Sequence, residues 1–156
     1  MSAEVTFGPI TDKNIGQFTK INQATLEVTY RDLFYNNVLN LWNKYSWFAY
    51  LNSDVAVGSL TAREEVRNDE KTIYIMTCSV LTPYRRLKIG TQLMNKLFEE
   101  VSKDSEIKAI YLNMWVVNEI GLKFYEKLGF SIVETMENYY SDIDPPRAYL
   151  MVKRLD

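Results

Sequence analysis

Two guanidinium groups, an ammonium and a glycine fall within one short stretch, Thr82-Pro83-Tyr84-Arg85-Arg86-Leu87-Lys88-Ile89-Gly90-Thr91. An apolar run, Ile73 to Leu81, precedes it, and Ile89, Leu93, Leu97 and Val101 then recur at helical spacing. A strand, a basic turn and a helix start together suit a phosphate. The first-turn N–H groups of a helix lack intrahelical acceptors, and the helix dipole favours negative charge there. Arg85 and Arg86 add charge-assisted donors, and Gly90 lets a backbone approach closely. Lys88 has two readings. With φ below zero its ammonium simply adds attraction for a phosphate; with φ above zero the residue is disfavoured by roughly 1 kcal/mol or more.

The chain contains no histidine. Acid–base chemistry therefore falls to Tyr, Glu, Asp, Lys, Cys or the backbone. With a single cysteine besides, a zinc site is not expected. Asn113 is a polar residue in the almost continuous apolar run Ile107 to Val116. It is either part of a site or a buried amide satisfied by backbone. An amide accepts no proton near neutrality, though it can hold a water. Cys78, in the strand before the basic turn, reads as a small buried hydrophobe rather than a nucleophile.

These groups need a scaffold, and the composition bounds it. The chain has 156 residues, 47% of them hydrophobic, so a single domain over 1–156 is expected. A net charge of −2 gives no general attraction to nucleic acid. No apolar run reaches the ~18 residues of a membrane span. Met-Ser-Ala-Glu-Val lacks the features of a signal peptide. With one cysteine, these features give a cytoplasmic, or also nuclear, location as the expectation.

Periodicity supplies the elements. Val5 to Ile10 reads as a strand. A helix capped by Thr11 or Asp12 runs to about Thr25, with Ile15, Phe18, Ile21 and Asn22 on one face. A second helix spans Arg31 to about Leu41, with Leu33, Phe34, Val38 and Leu41 inward. The period then becomes two: Ser46–Leu51, Val55–Val66 and Thr72–Leu81 form a meander, with turns at Asn52-Ser53-Asp54 and Asn68-Asp69-Glu70. The helix of the basic loop ends near Ser102 to Asp104. A strand covered on both faces follows at Ile107–Val116. Asn118–Leu128 is a helix closed by Gly129. Phe130–Tyr139 is a strand, Asp142–Pro146 a loop and Ala148–Leu155 the last strand.

The loop Arg85-Arg86-Leu87-Lys88-Ile89-Gly90 resembles the acyl-CoA pyrophosphate loop of the GCN5-related N-acetyltransferases, Arg/Gln-x-x-Gly-x-Gly/Ala, with Lys88 where the first glycine is expected. Asn118-Glu119-Ile120-Gly121-Leu122-Lys123-Phe124-Tyr125-Glu126-Lys127-Leu128-Gly129-Phe130 resembles that family's Asn-x-x-Ala-x-x-Phe-Tyr-x-x-x-Gly-Phe block. The order β-α-α-β-β-β-α-β-α-β-β matches it throughout. The resemblance implies an α/β (α+β) fold: a mixed seven-stranded sheet with a splayed parallel pair, flanked by four helices. It implies acetyl-CoA as the acyl donor, held by Arg85, Arg86, Leu87, Lys88, Ile89, Gly90 and Thr91. Backbone groups of Cys78 and Val80, with Asn118 and Phe124, would line the pantetheine arm. Tyr125 would protonate the leaving thiolate. The bland alternative is an Asn-capped helix packing Ile120, Phe124 and Leu128 into the core.

Within that superfamily the chain resembles the NatE catalytic subunits, the separation anxiety proteins, which are N-terminal protein acetyltransferases. The matching stretches are Ile21-Asn22-Gln23, Val28-Thr29-Tyr30, Tyr74-Ile75-Met76-Thr77, Pro83-Tyr84-Arg85-Arg86-Leu87, and Glu134-Thr135 followed by Asn138-Tyr139-Tyr140. The resemblance implies that Tyr139 and Tyr140 close over the substrate backbone, with Tyr30 approaching from the other side. It places Leu26, Val28 and Met76 around a methionine side chain, and implies nascent chains that keep Met before a hydrophobic residue. The family's base pair is a Tyr and a His: Tyr74 is present, but Asn113 stands at the His position. Glu27 stands where the family has proline; it is a replacement base, a partner for the substrate ammonium, or a solvent-facing loop residue.

The lost histidine bears on which amine can react. At pH 7, deprotonating an α-amine costs about 1–1.4 kcal/mol, against roughly 4.6 kcal/mol for a lysine ε-amine. A base-poor site therefore suits N-termini rather than lysines. The leading expectation is an N-terminal acetyltransferase, of reduced activity, using Tyr74 through an ordered water. The alternative is a weakly active or inactive binding subunit of the ribosome-associated NatA complex, consisting of an auxiliary scaffold and a catalytic subunit. A small-amine acetyltransferase is a third reading, disfavoured by the tyrosine pair.

Overall fold

The computed structural model describes residues 5–25, 32–52 and 55–155. Among them the elements run β1 (Val5–Pro9), α1 (Ile15–Thr25), α2 (Asp32–Asn40), β2 (Tyr45–Leu51), β3 (Val55–Arg67), β4 (Glu70–Val80), a 3₁₀ turn (Thr82–Leu87), α3 (Ile89–Ser102), β5 (Ile107–Trp115), α4 (Glu119–Lys127), β6 (Ser131–Met136) and β7 (Ala148–Arg154). The strands form one mixed sheet, ordered β1-β2-β3-β4-β5-β7-β6. Only β4 and β5 are parallel among the pairings described, from Lys71↔Ile107 to Ile75↔Leu112. A parallel pair needs a long crossover, and the 3₁₀ turn with α3 provides it. The expected α+β architecture is therefore present. Its contacts group into two compact units, Met1–Arg63 with Met76–Asp104, and Glu64–Ile75 with Ser105–Asp156.

In the first unit, Ile10, Phe18, Ile21, Val38 and Phe48 form a buried cluster. The Phe18 ring stands edge-on to Tyr35 and Phe48, with centroids 5.4 and 6.3 Å away. Burial of each such side chain contributes roughly 1.5–3 kcal/mol. Two sequence expectations are corrected here. Asn14, not Thr11 or Asp12, precedes α1: its Oδ1 accepts the Thr11 N–H at 2.7 Å, and its Nδ2 donates to the Pro9 carbonyl at 2.9 Å. Residues 12–14 form a turn, so the helix starts later than expected. In α2, Leu33 and Leu41 are exposed, at 70% and 68%. Phe34, Tyr35, Val38 and Leu39 face the Phe18 cluster instead: helical spacing puts Leu33 on the opposite side of that arc, and Leu41 lies just past the last residue of the helix. In α3 the apolar stripe is as spaced: Ile89, Leu93, Leu97 and Val101 are all buried.

In the second unit, Asn68 and Asp69 both have positive φ, 52° and 63°. This is the backbone of a two-residue hairpin turn, for which Asn and Asp are suited. The strand expected at Phe130–Tyr139 ends at Met136. Its partner β7 begins at Ala148, opposite Met136, and Pro146 just before it has no N–H to extend the ladder. Tyr139 and Tyr140 therefore lie in the connecting loop. That loop is fastened by Trp115 Nε1 donating to the Pro145 carbonyl at 2.7 Å and by the Tyr140 N–H donating to the Pro146 carbonyl at 2.9 Å.

Candidate active site

β4 carries Tyr74 beside Asn113 of β5, and the hydroxyl of Tyr74 donates to Asn113 Oδ1 at 2.5 Å. The amide orientation is fixed from the other side, where Nδ2 donates to Met136 Sδ at 3.2 Å and to the Tyr149 carbonyl at 3.5 Å. The Tyr139 hydroxyl lies 3.2 Å from that of Tyr74. Since the Tyr74 proton is directed at an acceptor-only oxygen, Tyr139 is the donor of this second bond. The array thus has a polarity, Tyr139 to Tyr74 to Asn113. It aligns hydroxyl dipoles without a fixed charge. Tyr140 packs edge-on against Tyr139, with ring centroids 4.9 Å apart.

One further group reaches this array. The Arg67 guanidinium, from the end of β3, lies 5.5 Å from the Tyr74 ring centroid and 4.6 Å from that of Tyr111. Its Nε is 3.2 Å from Glu65 Oε2. Arg67, Tyr111 and Met136 carried no signal in the sequence, because only strand pairing across tens of residues brings them to Tyr74.

The basic loop lies in the first unit. Leu81 is tied to β3 by its N–H on the Val57 carbonyl at 2.8 Å. Pro83 starts the 3₁₀ turn, and Lys88 ends it in the left-handed region, φ 59°, ψ 29°. The first α3 bond runs from the Gln92 N–H to the Lys88 carbonyl at 3.1 Å. The N–H groups of Ile89, Gly90 and Thr91 precede it and have no intrahelical acceptor. Arg85 Nε donates to the Val80 carbonyl at 3.0 Å, which ties the guanidinium back to the strand. Of the two readings of Lys88, the positive φ is the one found, so the lysine occupies a glycine conformation. Free first-turn amides at a helix start are suited to an anion such as a pyrophosphate. Leu87 and Lys88 are exposed, Ile89 is buried, and Cys78 and Val80 are half-buried on β4. Met76 Sδ faces Arg63, 3.6 Å from Nη1. Leu26, Glu27, Val28 and Tyr30, together with the Arg86 side chain, lie outside the described residues.

Asn118 caps α4, its side chain accepting the Gly121 N–H at 2.9 Å. A Cβ at Gly121 would meet Asn118 Nδ2 at 2.6 Å and Met114 Sδ at 2.8 Å, so the close cap requires glycine. Past the other end, Gly129 has φ 98°. Its N–H donates to Glu126 and that of Phe130 to Tyr125, the paired bonds of a glycine-terminated helix. The packing differs from the bland reading: Ile120 is 85% exposed, and no α4 residue is fully buried. Gly121, Leu122, Phe124, Tyr125 and Leu128 form the inward arc, and Ile120 falls outside it. The Tyr125 ring sits between Phe124 and Phe130, at 5.0 and 5.6 Å.

Residues 15–130 match the Acetyltransferase (GNAT) family. The chain belongs to the GNAT family. The matched stretch draws on both compact units. Among curated GNAT relatives, N-alpha-acetyltransferase 50 of Danio rerio is 39% identical over 155 residues, covering 99% of this chain and 91% of the relative. Probable N-acetyltransferase san of Drosophila melanogaster is 36% identical over 153 residues, covering 98% and 82%. Among solved GNAT structures, Arabidopsis thaliana Naa50 in complex with the bisubstrate analogue CoA-Ac-MVNAL is similar, with a TM-score of 0.88 at 35% identity and 97% and 99% coverage. These relatives agree with the NatE-like character read from the motifs.

Proposed function

We propose that this GNAT protein transfers the acetyl group of acetyl-CoA to the α-amino group of protein N-termini that begin with Met and a hydrophobic residue. The observation that carries this reading is the Tyr139–Tyr74–Asn113 array of hydroxyl and amide groups. Such groups can orient an amine, and among these three there is no carboxylate to hold it as the ammonium. An α-amine needs little help to lose its proton, and a lysine needs far more. The similarity to an Naa50 solved with an analogue whose peptide starts Met-Val supports the same substrate class.

The reaction follows from this assignment. The neutral amine attacks the thioester carbonyl, held by Tyr74 through a water. Backbone N–H groups of β4 stabilise the oxyanion. The C–S bond breaks, Tyr125 supplies a proton to the thiolate, and the proton that the nitrogen sheds as the amide forms replaces the one Tyr125 has given. Cys78, Val80, Arg85 to Thr91, Asn118 and Phe124 hold the coenzyme; Met76, Tyr139 and Tyr140, with Leu26, Glu27, Val28 and Tyr30, hold the peptide. The whole chain, 1–156, acts as one acetyltransferase domain.

The test compares acetyl-CoA turnover on Met-Val and Met-Leu peptides with free N-termini against N-blocked peptides carrying a lysine. Turnover on the free amines at least tenfold faster is expected; faster turnover on lysine overturns the reading. A second reading, a binding subunit of little activity, is favoured by Asn113, which takes no proton. Coenzyme binding without turnover on any peptide would select it. The NatE-like segments also support docking on the NatA complex at the cytoplasmic ribosome. Failure to co-purify with tagged NatA would remove that partner.

A further inference from the structure

We propose that Arg67 is a positioning residue for Tyr74, holding its ring by the face and favouring the phenolate, which serves as the base that a histidine at position 113 would have supplied. The inference rests on the acetyltransferase reading of Tyr74. Everything it uses lies in the second unit. The guanidinium is over the Tyr74 ring at 5.5 Å and over Tyr111 at 4.6 Å, and is itself anchored by Glu65 at 3.2 Å. Glu65 in turn is held in its strand, where its carbonyl accepts the Thr72 hydroxyl at 3.0 Å.

The groups facing Tyr74 explain why a cation there is informative. From β5 come Asn113 and Tyr111, and from the loop after β6 comes Tyr139. None of these side chains carries a fixed charge, whereas Arg67, with its partner Glu65, brings a charged group to this ring. A cation over an aromatic face is attracted by the ring quadrupole. The attraction grows when the ring becomes a phenolate, because the new charge is shared into the ring. Arg67 therefore favours the ionised form over the neutral one. The Asn113 oxygen accepts the Tyr74 hydroxyl and so favours the neutral phenol, while the Tyr139 hydroxyl that donates to Tyr74 favours the phenolate; Arg67 adds to the second influence. In the reaction, the phenolate oxygen of Tyr74 accepts one proton from the substrate ammonium, through water. Tyr74 returns to the phenol, and the neutral amine forms its bond to the acetyl carbon. As the C–S bond breaks, the nitrogen sheds a second proton, which replaces the one Tyr125 gives to the thiolate, so protons and charge balance.

Tyrosine labelled with ¹³C at Cζ provides the test, with the Tyr74 resonance assigned by its loss in Tyr74→Phe. The chemical shift reports ionisation of that ring whether or not the protein turns over. Arg67→Gln should raise the Tyr74 ionisation midpoint by about half a pH unit or more. Arg67→Lys should restore part of the shift. Glu65→Gln removes the counter-charge and should move the midpoint in the opposite direction. In the same variants, the change should appear in kcat and its pH profile more than in KM. A midpoint within about 0.2 units of wild type in both Arg67→Gln and Glu65→Gln would overturn the proposal. Should Arg67→Gln fail to fold, the sign of the Glu65→Gln shift decides alone. Lack of turnover in the wild type would instead count against the acetyltransferase reading, leaving the spectroscopic result intact.

Discussion

Asn113 and Lys88 each depart from the GNAT motifs, and the structure gives them different weights. Asn113 receives the Tyr74 hydroxyl proton in a hydrogen bond but cannot carry it away. Replacing it by histidine supplies a group that titrates near neutrality. Asn113→His should raise kcat/KM on a Met-Val peptide at pH 7 by about tenfold or more, since a positioned base typically contributes ~10²–10⁴. An unchanged rate would mean that proton removal does not limit the reaction. Lys88 acts on the backbone instead. Its φ of 59° lies where a side chain costs roughly 1–2 kcal/mol, while glycine's added chain entropy costs roughly 0.5–1 kcal/mol. Lys88→Gly should therefore be neutral to stabilising by up to about 1 kcal/mol in thermal unfolding. It should also weaken coenzyme binding a few-fold through the lost ammonium, as calorimetry can measure.

At the scale of elements, α4 depends on a glycine beyond its end. A Cβ at Gly129 would stand 2.5 Å from Lys153 Nζ, in a backbone region that L-residues avoid. Lys153 Nζ also donates to the Leu128 carbonyl at 2.6 Å, so yielding to the clash would break that bond. Gly129→Ala should lose about 2 kcal/mol or more, read as a melting temperature lowered by about 4–8 °C. This helix was legible in the sequence because its signals are local: an Asn cap, a Gly stop and ten residues between. The Asn68–Asp69 hairpin and the buried stripe of α3 were legible for the same reason. The α2 face was not, since Leu33 and Tyr35 compete for burial and only Phe18 decides between them. Local pattern carries the strand on to Tyr139, because the limit on β6 is set by the start of its partner at Ala148 and by Pro146 before it. Tyr74 and Asn113 were readable by motif, but their bond comes from β4–β5 register and Arg67 from the hairpin, over separations no local pattern encodes.

For the whole molecule, acetyl-CoA should stabilise the fold, because a ligand that binds only the native state shifts the unfolding equilibrium. At a hundredfold excess over Kd the gain is about 2.7 kcal/mol, or a rise of about 5–11 °C in melting temperature. If the basic loop holds the phosphates as proposed, CoA should give much of it, and a dephosphorylated pantetheine little. The same molecular scale exposes what the Tyr139–Tyr74–Asn113 chain leaves unfinished. It ends on an amide, and no histidine exists anywhere in the sequence to continue it. Within this array no member titrates near neutrality to carry off the proton of the substrate ammonium, so a diffusing buffer is the expected carrier. Turnover at fixed pH should then climb with the concentration of a small imidazole buffer, and a sterically bulky buffer of equal basicity should have less effect. Asn113→His should flatten that dependence, since the carrier would then be part of the protein.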